Sequence, residues 1–271
     1  MEQKKKKRMV YLPRDVTFEF DTLTEFLKKY NINAVEGFCQ QVPGQVKILE
    51  KYASQPGIIN IMEIGFNCGH SAEVFLKAKP ENKVHSFSII RDNLRHGKRY
   101  LDYNYPGRLK ISLGESQHVV PAFANKNKNI KFDLIFIDGA HWEPIPKQDL
   151  ENCKKLAHEN TIVLFDDTCY SEKLARGWNH YPTKVWKDAI DNNEIVDVFF
   201  PVLLLSLIGL LTIQIRFHNK TENQSGRSYF INNLFAITSI LLFLALLAYF
   251  SYQIGFDIAE ILNRPVAKLT S

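Results

Sequence analysis

The chain has 271 residues, 45% hydrophobic and 23% charged, proportions that exclude a disordered chain or a coiled coil as its main theme. Its formal net charge of +5 equals the charge of one run of five cations, Lys4 to Arg8, so the rest of the chain is close to neutral. A nucleic-acid-binding protein spreads its cations over a face or groove, and no nucleic-acid partner is expected. Residues 1–12 are predicted to form a basic disordered arm, which is either solvated or in contact with anionic lipid headgroups.

The first predicted elements are helices in a mixed segment, residues 13–57. Apolar residues recur at helical intervals from Phe18 to Tyr30, and residues 45–52 have the pattern of a second helix. We expect this segment to be a helical cover on the domain that follows.

Strands and helices alternate regularly through residues 58–197. The predicted strands are 58–64, 83–90, 109–113, 132–137 and 161–165, and the helices that follow them are 69–78, 92–103, 117–124, 147–157 and 182–192. This alternation is typical of βαβ crossovers and of a parallel sheet covered on both faces. The predicted fold class is therefore α/β, a doubly wound and mostly parallel sheet, whose ligands bind beyond the carboxyl ends of the strands.

Two long uncharged segments follow the α/β region, residues 198–215 and 234–252. As helices they would each extend about 27 Å, close to the hydrocarbon thickness of a bilayer, about 30 Å. With the polar linker between them, residues 198–252 are predicted to form a two-helix transmembrane hairpin, followed by a tail over residues 253–271. The alternative is a pair of buried helices in a soluble bundle, although such helices normally keep a polar face. Because no apolar run follows the basic N-terminus, no secretory signal is recognised, and we expect the α/β domain on the cytosolic side of a membrane.

The loop after the first strand runs from Glu63 to Ser71 and carries glycines at positions 65 and 69. Glycine permits a tight turn and a close approach of the backbone to a ligand, and the following helix offers its N-terminal amides. The spacing is not the G-x-G-x-x-G of a dinucleotide site, and no Walker lysine is present.

Four segments together resemble the class I S-adenosylmethionine-dependent methyltransferases, and among them the catechol O-methyltransferase-like, metal-dependent enzymes. They are the cofactor-type loop 63–72, the turn 114–117, the strand and loop 132–141, and the strand and loop 161–168. The resemblance extends over about residues 59–168 and implies a Rossmann-like methyltransferase fold that binds S-adenosylmethionine.

The resemblance also implies roles for individual residues. The cofactor would contact Glu63, Gly65, Gly69, Ser71, Ser88, Ser116, Gln117 and Asp138, with Ser116 and Gln117 near the adenine. A divalent metal would bind Asp138, Asp166 and Asp167, three oxygen ligands that suit Mg²⁺, although the extra charge of Asp167 suits Mn²⁺ or Ca²⁺ as readily. His141 stands where the family often has its lysine general base, and an imidazole can accept a hydroxyl proton at neutral pH.

Each of these assignments has a simpler alternative. The pair Asp166 and Asp167 could cap the next turn, and His141 could be a loop histidine without a catalytic role. The three tryptophans, at positions 142, 178 and 186, are more typical of core or lid packing than of a substrate wall, and Cys68 is more typical of packing than of a nucleophile.

Two departures from the family pattern bear on activity. Class I methyltransferases usually have an acidic residue at the end of the second strand to bind the ribose hydroxyls, whereas this chain has Ser88, with Asp92 one helical turn later. The fold also normally ends in an antiparallel strand pair. Residues 194–199 could supply one strand, but the chain then enters its first apolar segment, so the sheet is expected to lack its edge.

The function predicted from these features is metal-assisted methyl transfer from S-adenosylmethionine to a hydroxyl of a small-molecule, sugar or lipid-linked acceptor, by a protein anchored in a lipid bilayer. The alternative is a catalytically degenerate methyltransferase-like domain that acts as a membrane-tethered binding or scaffold module. The sequence does not indicate an oligomeric state.

Overall fold

A computed structural model describes residues 12–13, 15–32, 38–91, 93–169, 172–173, 175–197 and 266–269. The cationic run at residues 4–8, the predicted hairpin at 198–252 and most of the predicted tail lie outside these residues. Within the described part of the chain, no helix combines the length and the apolar character needed to cross a membrane.

The described residues form seven strands and seven α-helices. The strands are β1 (Asn60–Ile64), β2 (Lys83–Ser88), β3 (Leu109–Leu113), β4 (Phe132–Ile137), β5 (Ala157–Phe165), β6 (Ile195–Asp197) and β7 (Val266–Leu269). The helices are α1 (Leu23–Lys29), α2 (Pro43–Ala53), α3 (His70–Ala78), α4 (Leu94–Asn104), α5 (Ser116–Lys126), α6 (Ile145–Lys154) and α7 (His180–Asp191). Short 3₁₀ turns lie at Cys39–Gln41 and Gly177–Asn179.

The strands form one sheet in the order β3-β2-β1-β4-β5-β7-β6. The first five strands are parallel to one another, and β7 is antiparallel to both β5 and β6. The strand order reverses between β1 and β4, which is where a doubly wound sheet binds its ligand. The prediction of a doubly wound, mostly parallel sheet is confirmed.

The prediction that the sheet lacks its edge is wrong, because β7 supplies the missing strand from beyond the apolar segments. Leu164 of β5 pairs with Val266, and Asp197 of β6 pairs with Ala267. Two neighbouring strands of an antiparallel pair are usually joined by a short hairpin, so the partner of β6 was expected directly after it. Here the pair is interrupted by residues 198–265.

The sheet is covered by hydrophobic layers on both faces. Successive residues of the strands point to opposite faces, so Ile61 packs in the layer formed with α1 to α4, while Met62 packs in the layer formed with α5 to α7. Both side chains are fully buried. The sheet is thus held rigidly from both sides, and its strand ends provide fixed positions for a site.

The N-terminal cover is helical over a shorter range than predicted. Helix α1 begins only after Thr22, whose hydroxyl accepts a hydrogen bond from the backbone N–H of Glu25 (3.2 Å). Phe18 and Phe20 precede this cap outside any helix, and their rings pack against Phe26. The helical spacing of these aromatic residues therefore reflected a common packing partner.

Candidate functional site

The loop after β1 lies close to the end of β4, and Gly65 makes this approach possible. Gly65 has φ +106°, and a Cβ at this position would lie 1.8 Å from the carbonyl oxygen of Asp138. The Asp138 N–H donates to the carbonyl of Ile64 (2.9 Å). A side chain at position 65 would therefore separate the predicted cofactor loop from one of the predicted metal ligands.

Gly69 occupies the N-cap of α3 with φ +96°, a conformation that side chains rarely adopt. A Cβ there would meet Phe66 at 2.6 Å and Leu101 at 2.8 Å. The loop is thereby packed tightly against α4 at the point where α3 directs its first N–H groups outward.

Glu63 is the fully buried acid of this region, and both of its carboxylate oxygens are occupied. Oε1 accepts a hydrogen bond from the Ser71 hydroxyl, and Oε2 accepts one from the Ser86 hydroxyl on β2. Burial raises the pKa of Glu63 from 4.5 to about 7, although both serine hydroxyls act in the opposite direction. Glu63 and Ser71, both predicted to contact the cofactor, thus tie β1, β2 and the start of α3 together. Their contact with the cofactor stays a prediction.

The first helical residue after the loop, His70, is a buried histidine that sequence reasoning did not single out. Its ring stacks on Phe38 with centroids 4.4 Å apart, and it is 3% exposed. Within the described part of the chain neither ring nitrogen has a hydrogen-bond partner. Burial lowers the pKa of His70 to about 4, so the ring is neutral at physiological pH.

The ends of β2 and β3 carry the residues predicted to bind the ribose and the adenine. Ser88 is buried, and its hydroxyl donates to the carbonyl of Ile89 (3.2 Å). Ser116 and Gln117 are the first two residues of α5 and are half-buried. Asp92, the alternative ribose ligand, lies outside the described residues. Ser88, Ser116 and Gln117 end or follow β2 and β3, at the same edge of the sheet as the loop after β1. Their contacts with the cofactor stay a prediction.

Asp149 on α6 is a buried carboxylate beneath the loop that follows β4. It is fully buried, and neither carboxylate oxygen has a hydrogen-bond partner in the described residues that meets normal geometry. A Cβ at Gly139 would lie 3.0 Å from Asp149 Oδ2. Burial raises the pKa of Asp149 from 3.8 to about 6, and the nearby Ser116 hydroxyl lowers it in part.

Asp138, His141 and Asp167 converge at the ends of β4 and β5. Each offers one ligand atom, and these atoms lie within 4.8 Å of one another. All three residues are half-buried. Asp167 has φ +57°, an uncommon conformation that directs its side chain back toward His141. Two carboxylates and one imidazole at this spacing form a donor set that a small divalent ion can bind.

Asp166, the third predicted metal ligand, makes a different contact. Its Oδ2 accepts a hydrogen bond from the Nε2 of Gln45, a buried side chain on α2. The helical cover therefore reaches the predicted metal site through Gln45 rather than only shielding it. The role of Asp166 as a metal ligand stays a prediction.

His141 contacts the Asp167 carboxylate through its Nε2, and this contact becomes an ion pair when the ring is protonated. This contact raises the pKa of His141 above its usual value, burial opposes the effect, and the charge of Asp166 adds to it. The His141 ring also lies beside the indole of Trp178, with centroids 5.6 Å apart. An imidazole paired with a carboxylate is a stronger base than a solvated one.

Of the remaining residues with two interpretations, two lie in the core and two are exposed beside the site. Trp186 and Cys68 are fully buried and pack in the core. Trp142 and Trp178 are 66% and 62% exposed beside the site, so they are neither core residues nor a closed lid.

Besides His70, two residues of this region were missed by sequence reasoning, Gln45 and Asp149. Asp149 could have been found, because it shares the buried stripe of α6 with Pro146, Leu150 and Cys153, and a lone acid on an apolar stripe is unusual. Gln45 had no such signal, because a glutamine on a short amphipathic helix is ordinary.

The chain is similar in sequence to known methyltransferases. A family profile described as "Methyltransferase domain" matches residues 62–168. The chain is 24% identical over 165 residues to a catechol O-methyltransferase of Bos taurus, a match that covers 57% of this chain and only 59% of the bovine protein.

Solved structures share the fold. An O-methyltransferase from Bacillus cereus, solved in complex with SAH, has a TM-score of 0.52 at 17% identity, covering 65% of this chain and 80% of that one. The O-methyltransferase TomG of tomaymycin synthesis from Streptomyces achromogenes, in complex with SAM, has a TM-score of 0.51 at 14% identity, covering 64% of this chain and 77% of that one. The resemblance noted in the sequence is confirmed: residues 62–168 match a methyltransferase domain, and the described sheet has the fold of solved O-methyltransferases.

Proposed function

We propose that this chain transfers a methyl group from S-adenosylmethionine to an acceptor hydroxyl, with assistance from a divalent metal, while anchored in a membrane. The observation that carries the proposal is the convergence of Asp138, His141 and Asp167 beside the glycine loop, at the strand ends where such sheets bind ligands. When bound, S-adenosylmethionine supplies the methyl group that the hydroxyl oxygen receives. The hydroxyl proton must then be taken up by a base of the protein.

His141 is the base that fits this step. Its Nε2 is oriented by Asp167, so the acceptor proton would be received at the other ring nitrogen, Nδ1. Paired with a carboxylate, the ring is held in one orientation and its positive charge after proton uptake is stabilised. The nearby charge of Asp166 acts in the same direction.

Asp138 and Asp167 are the residues we propose to hold the metal, because both belong to the predicted triad and to the converging group. The third ligand is either Asp166, as the resemblance implies, or His141, as the spacing favours. An imidazole in the donor set favours Mn²⁺ over Mg²⁺, since Mg²⁺ prefers oxygen ligands. A metal at this position would lower the pKa of a bound hydroxyl and hold it for methyl transfer.

Cofactor binding is the first test. Calorimetry of the full chain should show heat of binding for S-adenosylmethionine, and transfer of a labelled methyl group should be measured with 3,4-dihydroxybenzoate as the probe acceptor. We expect Asp138→Ala to abolish transfer, while Asp133→Ala, which changes an acid at the opposite end of β4, serves as the control. Absence of any binding heat at millimolar S-adenosylmethionine would refute the proposed activity.

Mn²⁺ titration distinguishes the two roles of His141. The free ion is followed by electron paramagnetic resonance in the parent, in His141→Gln and in Asp166→Asn. If His141 is the base, His141→Gln keeps Mn²⁺ affinity and loses methyl transfer. If His141 is the third ligand, that variant loses both, and Asp166→Asn keeps its affinity for Mn²⁺.

Membrane anchoring is supported by the sequence of residues 198–215 and 234–252, which lie outside the described residues. One arginine at the centre of a transmembrane helix costs about 2.5–3.5 kcal/mol of insertion free energy. The parent should therefore remain in the membrane pellet after alkaline carbonate extraction, and a variant with Leu207→Arg and Leu244→Arg should be released. Gln224→Arg, which adds the same charge to the polar linker, is the control and should stay in the pellet.

We further propose that the methyltransferase domain lies on the cytosolic side, which puts the linker 216–233 on the opposite side. The linker contains the sequons Asn219-Lys-Thr221 and Asn223-Gln-Ser225. In endoplasmic-reticulum microsomes we expect the full chain to gain glycans that the variant Thr221→Ala with Ser225→Ala does not. Protection of the methyltransferase domain from added protease would contradict this orientation.

A second candidate function, a binding or scaffold module without catalysis, is favoured by one observation. Ser88 provides no carboxylate for the ribose, and its hydroxyl is already directed to the Ile89 carbonyl. The missing sheet edge expected from the sequence would also have favoured this module, but β7 completes the sheet. If the parent binds no S-adenosylmethionine and Ser88→Asp restores binding, the degenerate module is the correct description.

A further inference from the structure

Exposed apolar side chains of the described residues are concentrated at the edge of the sheet that carries the candidate site. Six of the nine large hydrophobic residues that are exposed lie there: Val42, Ile89, Ile90, Leu113, Trp142 and Trp178, which we call the apolar rim. The last five follow or end the parallel strands β2, β3, β4 and β5, whose carboxyl ends share one edge. Val42 is the N-cap residue of α2, whose Gln45 contacts Asp166. The remaining three, Ile59, Tyr103 and Ile130, lie at the opposite edge.

The sheet register puts both ends of the segment 198–265, which we call the apolar insertion, at this same edge. β5 reaches the candidate site at its carboxyl end, and Val266, the first residue of the antiparallel β7, pairs with Leu164 near that end. β6 runs antiparallel to β7 and ends at Asp197, which pairs with Ala267. The chain therefore leaves the sheet after residue 197 and rejoins it at residue 266 beside the apolar rim.

We propose that the apolar rim rests in the interfacial layer of a bilayer, so that the candidate site opens toward lipid and takes amphipathic hydroxyl acceptors held at the bilayer surface. This inference rests on the proposed methyl transfer and membrane anchoring. The first apolar segment begins directly after residue 197, and the second ends at residue 252, with 13 residues between it and β7. If both segments enter a bilayer, they would hold this edge of the sheet near the headgroups. Indole rings such as those of Trp142 and Trp178 are the side chains most typical of that layer.

The insertion itself is a less suitable cover for the rim. If residues 198–215 and 234–252 are helical, each helix is apolar on nearly all sides, and contact with the rim would bury only one side of it. A bilayer covers the rest of both segments and the rim together. Quenching of tryptophan fluorescence distinguishes a rim covered by lipid from a rim covered by protein.

The chain has three tryptophans, of which Trp186 is buried and provides an internal control. The full chain is reconstituted in phosphatidylcholine vesicles that contain phosphatidylcholine labelled with a doxyl quencher near the headgroup. We expect strong quenching in the parent and loss of most of it in the variant Trp142→Phe with Trp178→Phe. The two single variants, each with an intermediate loss, serve if the double variant does not fold. Equal quenching in the parent and the double variant would overturn the proposal, as would rim tryptophans protected from both lipid and aqueous quenchers, which indicates a protein cover.

Acceptor preference is the second measurement. Methyl transfer is compared between dodecyl 3,4-dihydroxybenzoate in the vesicles and 3,4-dihydroxybenzoate in solution, which carry the same reacting hydroxyls. Ile90→Glu puts a charge in the rim, whereas Ile130→Glu puts it at the opposite edge as the matched control. We expect Ile90→Glu to lose about threefold in transfer to the dodecyl ester, the effect of one charge at a bilayer interface, and to keep its transfer to the soluble acid. Equal losses for both acceptors would refute the bilayer contact.

The two proposals fail in different ways. If S-adenosylmethionine binds and methyl transfer occurs but lipid quenching is absent, only the rim inference fails. If lipid quenching is present and no cofactor binds, the methyltransferase activity fails together with the acceptor class, and the docked rim remains.

Discussion

Replacing the buried acid Glu63 with glutamine should stabilise the protein at neutral pH and remove part of its pH dependence. In the folded state both carboxylate oxygens accept hydrogen bonds from serine hydroxyls, yet burial still raises the pKa of Glu63 from 4.5 to about 7. A glutamine has nearly the same shape. Its Oε1 accepts a hydrogen bond from one serine hydroxyl, and its Nε2 donates a hydrogen bond to the oxygen of the other. The change therefore removes the ionisation with little change in packing.

The size and sign of the effect follow from proton linkage. Between pH 4.5 and about 7 the unfolded chain has lost the Glu63 proton while the folded chain keeps it, so ionisation favours unfolding increasingly as the pH rises. The interval of about 2.5 pH units, at about 1.4 kcal/mol each, corresponds to about 3 kcal/mol. Relative to the parent, Glu63→Gln should thus gain up to about 3 kcal/mol in free energy of unfolding across this interval, and the gain should stay constant above it.

Urea unfolding followed by tryptophan fluorescence measures this difference, because all three tryptophans lie in the segment 58–197, which also contains Glu63. Parent and variant are compared at several pH values between 4.5 and 8.5. The difference between the two curves isolates position 63 from the other titrating groups. Parallel curves, or a variant that becomes relatively less stable as the pH rises, would refute the reasoning about Glu63.

Three further changes test other parts of the structure. Gly65→Ala should abolish S-adenosylmethionine binding in calorimetry, because the new Cβ would overlap the Asp138 carbonyl. The control Gly57→Ala is also at positive φ but in open space, so it should lose only about 1–2 kcal/mol of stability and keep binding. Equal effects of the two substitutions would contradict this account of the loop. Asp149→Asn should gain about 3 kcal/mol of unfolding free energy relative to the parent as the pH rises from 3.8 to about 6, because burial raises the pKa of Asp149. If urea unfolding shows no such gain, the Asp149 carboxylate is solvated. Truncation after Pro265 removes β7 from between β5 and β6 and should make the domain sensitive to rapid proteolysis. Truncation after Leu269 keeps β7 and should leave the domain as resistant as the parent. If the two truncated proteins are equally resistant, β7 is dispensable.

The parallel part of the fold could be predicted closely, because buried strands leave a local signal. The limits of β3 and β4 agree with the predicted ones residue for residue, and both strands are short apolar runs bounded by turn residues. β7 left no such signal. It has four residues, and its position is decided by pairing with Ile162 and Val163, about a hundred residues earlier in the chain, so no pattern within its own neighbourhood could indicate it.

The candidate site was predictable in part for the same reason. Asp138 and Asp167 come directly after strands, and strand ends can be located from sequence. His141 was assigned a separate role as a base, yet its ligand atom lies in the same group as those of the two acids, because the loop after β4 turns back toward β5. The contact of Gln45 with Asp166 joins two side chains from distant parts of the chain, and only the packed cover brings them together.

The position of β7 between β5 and β6 has a consequence for the time course of biosynthesis. A ribosome adds about 5–20 residues per second, so the interval between the emergence of residue 197 and that of residue 266 is about 3–14 s. During this interval β5 and β6 have no strand between them, and the edge of β5 can pair with another chain. A nascent chain of this protein is therefore most exposed to aggregation while its apolar segments are being made, and a chaperone or an insertion factor that acts on those segments would also protect the unfinished sheet.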